Sequence, residues 1–136
     1  MQRLMTGFII VVMFVFMGCG GSGGGMSGGG NDDQGQVPDQ PSYAMHIQPI
    51  FNANCTFSGC HNDQDRANGL SLTSFQNLMM GGNSGAVVVP GDAENSIIVQ
   101  RLEGRITPRM PLNRPPLSDT QIQTIRRWID QGALNN

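Results

Sequence analysis

Hydrophobic and polar positions divide this 136-residue chain into three stretches of different character. An apolar run from Leu4 to Met17 follows Arg3 and ends at Gly18-Cys19. At about fourteen residues, interrupted by Thr6 and Gly7, it is shorter than the roughly 20 apolar residues of a membrane-spanning helix. A basic start, an apolar middle and a small residue before a cysteine predict an export signal over residues 1–18. Gly20 to Gly30 is almost wholly Gly and Ser, a composition that cannot bury a core and behaves as a spacer. With the polar stretch Asn31 to Gln40 it makes residues 19–41 a flexible tether, with order beginning near Pro41 or Ser42. Residues 42–136 carry the periodic patterns of one small domain.

Within that domain Ser42 is placed to cap a helix whose apolar positions Met45, Ile47, Ile50 and Phe51 lead into Cys55. Pro49 then falls in the first turn of a helix starting near His46, where a missing N–H costs little. Thr56 to Gly69 reads as a polar loop and Gly69 to Leu72 as a short extended piece. A brief helix over Ser74 to Met80 is stopped by Gly81-Gly82. After the apolar run Ala86 to Val89 and the breaker Pro90-Gly91, Asp92 is expected to cap a helix over Ala93 to Leu102, ending at Gly104. Pro108, Pro111, Pro115 and Pro116 exclude a helix and make a stiff loop that holds Met110. Ser118 with Gln121 forms a capping box, and Ile122, Ile125, Trp128 and Ile129 recur at helical spacing through to Gly132. The expected class is all-α: three to four short helices joined by long Gly/Pro-rich loops, with Trp128 packed against the first helix.

Charge narrows the partners. Eight basic residues, all Arg, stand against ten acidic ones for a net charge of −2, and no basic stripe is available to hold a phosphate backbone, so nucleic acid is excluded as a partner. Aromatic content is 6%, with one Trp and one Tyr; so lean a core in so small a domain often depends on a disulfide, a metal or a cofactor. Candidate chemistry centres on Cys55-Thr-Phe-Ser-Gly-Cys60-His61, a C-x4-C-H pattern close to the C-x-x-C-H signal of covalent haem attachment. The four intervening residues must bulge outward, and Ser58-Gly59 supplies the freedom for that. The same residues admit a Cys55–Cys60 disulfide, or a zinc site completed by His46, either of which makes the domain a non-haem envelope module. Neither a Ser-His-Asp set nor a Gly-rich phosphate loop is present.

Phe16-Met17-Gly18-Cys19 resembles a bacterial lipobox, which implies lipid attachment at Cys19 and a place on the periplasmic side of a bacterial membrane, inner or outer. The segments Ile47-Gln48-Pro49-Ile50-Phe51, Asn54-Cys55, Cys60-His61-Asn62, Gly69-Leu70-Ser71-Leu72, Val88-Val89-Pro90-Gly91-Asp92, Ser96, Arg109-Met110-Pro111, Leu117-Ser118 and Trp128-Ile129-Asp130-Gln131-Gly132-Ala133 together resemble the small cytochrome c domains of planctomycetes and related bacteria. The likeness runs through nearly all of residues 45–133, although the attachment motif departs from C-x-x-C-H. It implies an all-α domain around one haem c, held covalently by Cys55 and Cys60, with His61 as proximal and Met110, 49 residues further on, as distal iron ligand. A soft thioether on a proline-stiffened loop suits that role. Arg105, Arg109 and Arg114 flank the loop as candidates for pairing with haem propionates. The implied function is electron transfer with a transient redox protein partner. His/Met ligation favours this over a peroxidase-like activity, for which the sequence supplies no distal His/Arg pair.

Overall fold

The computed structural model describes residues 35–136, so the expected signal, Cys19 and most of the tether lie outside the described residues. Among the described residues there are four short helices and no strand: α1 (Gln48–Asn54), α2 (Phe75–Met80), α3 (Ile97–Glu103) and α4 (Asp119–Asp130). The domain is all-α. Long loops connect the helices, and none is long and apolar enough to cross a membrane.

Serine hydroxyls start three of the helical segments. Ser42 accepts from the Met45 N–H at 3.3 Å and opens a π-helical turn, Tyr43–Ile47, that runs into α1 with Pro49 in its first turn. Ser74 caps α2 through the Asn77 N–H at 3.2 Å. Ser118 caps α4 with the reciprocal Gln121 bond in place, so two N–H groups that would otherwise lack partners are satisfied. Glycine ends two helices: Gly81 follows α2 at φ +75° and Gly104 follows α3 at φ +76°, a conformation that costs a side-chain-bearing residue strain.

Two expectations need correction. The inward stripe of the first helical segment is Tyr43, Ile47 and Phe51, spaced four apart, and Met45 is 75% exposed. Met45 lies two residues from Tyr43, on the far side of the helical turn, and so faces solvent. The helix expected over Ala93 to Leu102 starts instead at Ile97. Asp92 caps only a single turn, accepting from the Asn95 N–H at 3.0 Å. The buried Ser96 hydroxyl accepts from the Val89 N–H at 2.9 Å and donates to the Asp92 carbonyl at 2.8 Å. Side-chain bonds of this kind offer the backbone an alternative to helix, and they hold 92–96 as a folded turn.

The core forms where the buried face of α4, Ile122, Ile125, Trp128 and Ile129, meets Ile47, Phe51, Leu78 and Val99. Trp128 packs on the first helical segment as expected, its ring centroid 5.4 Å from Tyr43, and its indole N–H donates to the Leu134 carbonyl at 2.9 Å. The chain is pinned a few residues before Pro41: Arg127 of α4 donates to the Pro38 carbonyl at 3.0 Å and Gln131 to the Asp39 carbonyl at 2.7 Å. On the surface, Glu94 and Glu103 share Arg105 and Arg126 in a four-membered ion network that ties α3 to α4.

Candidate haem site

Helix α1 delivers Cys55 at its C-terminal end, where the cysteine N–H bonds the Phe51 carbonyl at 2.8 Å. The next bond in the sequence is unusually wide. The His61 N–H reaches back to the Cys55 carbonyl at 3.0 Å, so Thr56 to Gly59 loop outward between two residues that stay close. Gly59 takes φ +76° within this bulge, the freedom expected of it. Asp65 braces the loop from outside, its carboxylate accepting from the Gly59 N–H at 2.6 Å and from Asn62 Nδ2 at 2.8 Å. Those bonds, the Gly59 one foremost, hold its carboxyl below the usual Asp range.

His61 is gripped twice by the buried segment that follows the loop. Its carbonyl accepts from the Leu72 N–H at 2.8 Å, and its Nδ1 lies 3.3 Å from the Leu70 carbonyl. The tautomer that satisfies the second contact carries the proton on Nδ1 and leaves Nε2 as a lone-pair donor. Met110 is held from α3. Its N–H bonds the Arg101 carbonyl at 2.9 Å, while Arg101 Nη1 donates to the Pro108 carbonyl at 3.2 Å and Arg109 Nε to the Leu102 carbonyl at 3.2 Å.

These supports converge on a cavity of about 480 Å³ whose wall includes Cys55, His61 and Met110 among mostly apolar side chains such as Phe51, Leu70 and Ile98. A smaller cleft of about 90 Å³ brings Cys60, Pro111 and Arg114 to Cys55, His61 and Met110. The Arg114 guanidinium lies 3.6 Å from the centroid of the Phe57 ring and ties the cysteine loop to the methionine loop. Cys55 and Cys60 are both free thiols. Burial, with the neighbouring Cys60 adding to it, pushes the Cys55 thiol up to about 12, so it stays protonated.

The donor set fits a haem. The main cavity is in the size range of small-molecule and cofactor sites and is apolar as they are. An imidazole and a thioether, the pair of ligands that holds iron in c-type cytochromes, lie on its wall, with two unpaired thiols beside them. The residues do not gather for zinc: His46 Nδ1 accepts from the Ser42 N–H at 2.9 Å, and among the described residues no three His, Cys, Asp or Glu side chains group as a metal site. Met80 is 66% exposed on α2 and lines neither cavity.

The arginines are redistributed relative to expectation. Arg105 is taken up by Glu94 and Glu103, Arg109 by the Leu102 carbonyl, and Arg114 by Phe57 and the smaller cleft. The arginine on the main cavity wall is Arg101, in the last turn of α3. No motif marks it; the available signal is its helical position one turn before Gly104, facing the stiff loop. Trp128 lines neither cavity and serves the core.

Residues 58–112 match the family model described as Planctomycete cytochrome C, a span that takes in Cys60, His61 and Met110 and begins after Cys55. No curated protein and no solved structure matches the chain. The matched span and the donors set around one apolar cavity agree, and the chain carries a planctomycete-type cytochrome c domain.

Proposed function

We propose that this protein is an electron carrier with one covalently bound haem c, lipid-anchored at Cys19 on the periplasmic side of a bacterial membrane. The observation that carries the reading is the convergence of Cys55, His61 and Met110 on one apolar cavity, with Cys60 at the adjoining cleft. Bound there, the haem supplies a one-electron couple. The chain's own residues do the rest. Cys55 and Cys60 provide the two attachment thiols, and His61, with its Nδ1 proton committed to the Leu70 carbonyl, offers Nε2 to the iron. Met110, fixed by its backbone bond to Arg101, offers a thioether from the methionine loop. With both His61 and Met110 as ligands, the haem would supply electron transfer rather than peroxidase-like chemistry. The Gly/Ser tether lets the domain reach a transient redox partner from its anchor.

The test is a visible spectrum, oxidised and dithionite-reduced, of the full chain expressed with its own signal in a host that matures c-type cytochromes, followed by haem staining of a denaturing gel. A sharp reduced α-band with stain that survives denaturation is the expected result. Met110→Ala should then abolish the weak long-wavelength band of sulfur-ligated ferric haem while leaving the covalent stain intact. Export without retained haem would overturn the proposal, and thiol counting with zinc analysis on the same sample would then identify the alternative as a disulfide- or zinc-stabilised module.

A further inference from the structure

Arg101 carries the only permanent charge among the described residues lining the main cavity. Among the described residues the ion pairs engage Arg66, Arg105, Arg126 and Arg127, and none engages Arg101. Its one hydrogen bond, from Nη1 to the Pro108 carbonyl, occupies one of five guanidinium N–H donors. The partly exposed guanidinium keeps its remaining donors free, and its planar fork suits a carboxylate with two parallel bonds. The same residue holds Met110 through its backbone carbonyl at 2.9 Å.

We propose that Arg101 is the receptor for a carboxylate of the cavity's ligand, a haem propionate, so that one residue of α3 both binds the acidic edge of the cofactor and anchors the methionine loop. This rests on the haem reading above. It assigns to Arg101 the role that sequence position suggested for Arg105, Arg109 and Arg114, none of which lines the main cavity.

The test separates the two ideas. The full chain, expressed without haem, is titrated with iron mesoporphyrin, whose ethyl groups cannot form thioethers, and with its dimethyl ester, in which both carboxylates are masked. The wild type should bind the diacid at least roughly tenfold tighter than the diester, a difference of about 1.4 kcal/mol. Arg101→Gln should lose most of that preference and Arg101→Lys should keep part of it. Far-ultraviolet circular dichroism checks that each variant folds; if Arg101→Gln does not, the wild-type comparison and Arg101→Lys still decide. Equal binding of diacid and diester by the wild type, or an undiminished preference in Arg101→Gln, overturns the role of Arg101 and leaves the cavity reading intact. If neither porphyrin binds the wild type, the Arg101 proposal falls, while the haem reading is decided separately by the haem stain of the exported protein.

Discussion

Substituting Gly59 probes the wide cysteine loop without touching a candidate ligand. Gly59 sits at φ +76°, and a methyl group added there would meet nothing within 4 Å. The cost of Gly59→Ala therefore comes from the backbone alone. Holding an L-residue in the left-handed region costs about 1–2 kcal/mol, and the reduced freedom of the unfolded chain offsets about 0.4–1 kcal/mol of it. A net loss of about 1 kcal/mol follows, which lowers the melting temperature of a domain this size by about 4–8 °C. Gly59→Asn should lose less, because Asn tolerates this conformation. Gly82→Ala is the contrasting case. Its added methyl would come within 2.6 Å of the Asn68 carbonyl oxygen on the cavity wall, so backbone must move, at about 1–3 kcal/mol, and haem retention should fall as well. Thermal denaturation followed by circular dichroism, with haem staining of the same preparations, measures both effects. If Gly59→Ala melts with the wild type, residue 59 is not held left-handed, and the outward bulge offered for the C-x4-C-H spacing is wrong.

Removing the α4 cap by Ser118→Ala should cost about 1 kcal/mol while leaving the visible spectrum unchanged, since neither cavity includes Ser118; an altered haem band would mean that α4 shapes the site directly. Acid should weaken the α3–α4 ion network. Hydrogen bonding from Arg126, with the charges of Arg105 and Arg126, holds the Glu94 carboxyl below its ordinary 4.5. A depressed carboxylate contributes stability that is present above its unfolded value and is lost as pH falls through the folded one. Glu94→Gln should therefore melt below the wild type at neutral pH, in low salt more than in high, and the gap should close as the pH falls through the lowered titration range of Glu94; a gap that stays constant on acidification would exclude this contribution.

Much of the fold was legible because its signals are local. Ser42, Ser74 and Ser118 satisfy N–H groups three residues away, and Gly81 and Gly104 relieve strain at a single position. The spacing of Ile122, Ile125, Trp128 and Ile129 places them on one helix face whatever lies opposite. The attachment motif and the methionine loop were likewise visible, since Cys55, Cys60, His61 and the prolines around Met110 are recognised by neighbours in sequence. What the chain by itself did not reveal depends on contacts between distant segments. Ser96 reads as an ordinary helix residue until its hydroxyl is seen bonding Val89 and Asp92, and Met45 reads as core until Tyr43 takes the inward stripe. Four arginines between Gln100 and Pro115 look equivalent along the chain. Packing alone sends Arg105 to Glu94 and Glu103, lays Arg114 over Phe57 and turns Arg101 toward the cavity, because the direction of a long flexible side chain is decided by which partners the rest of the fold brings within its reach.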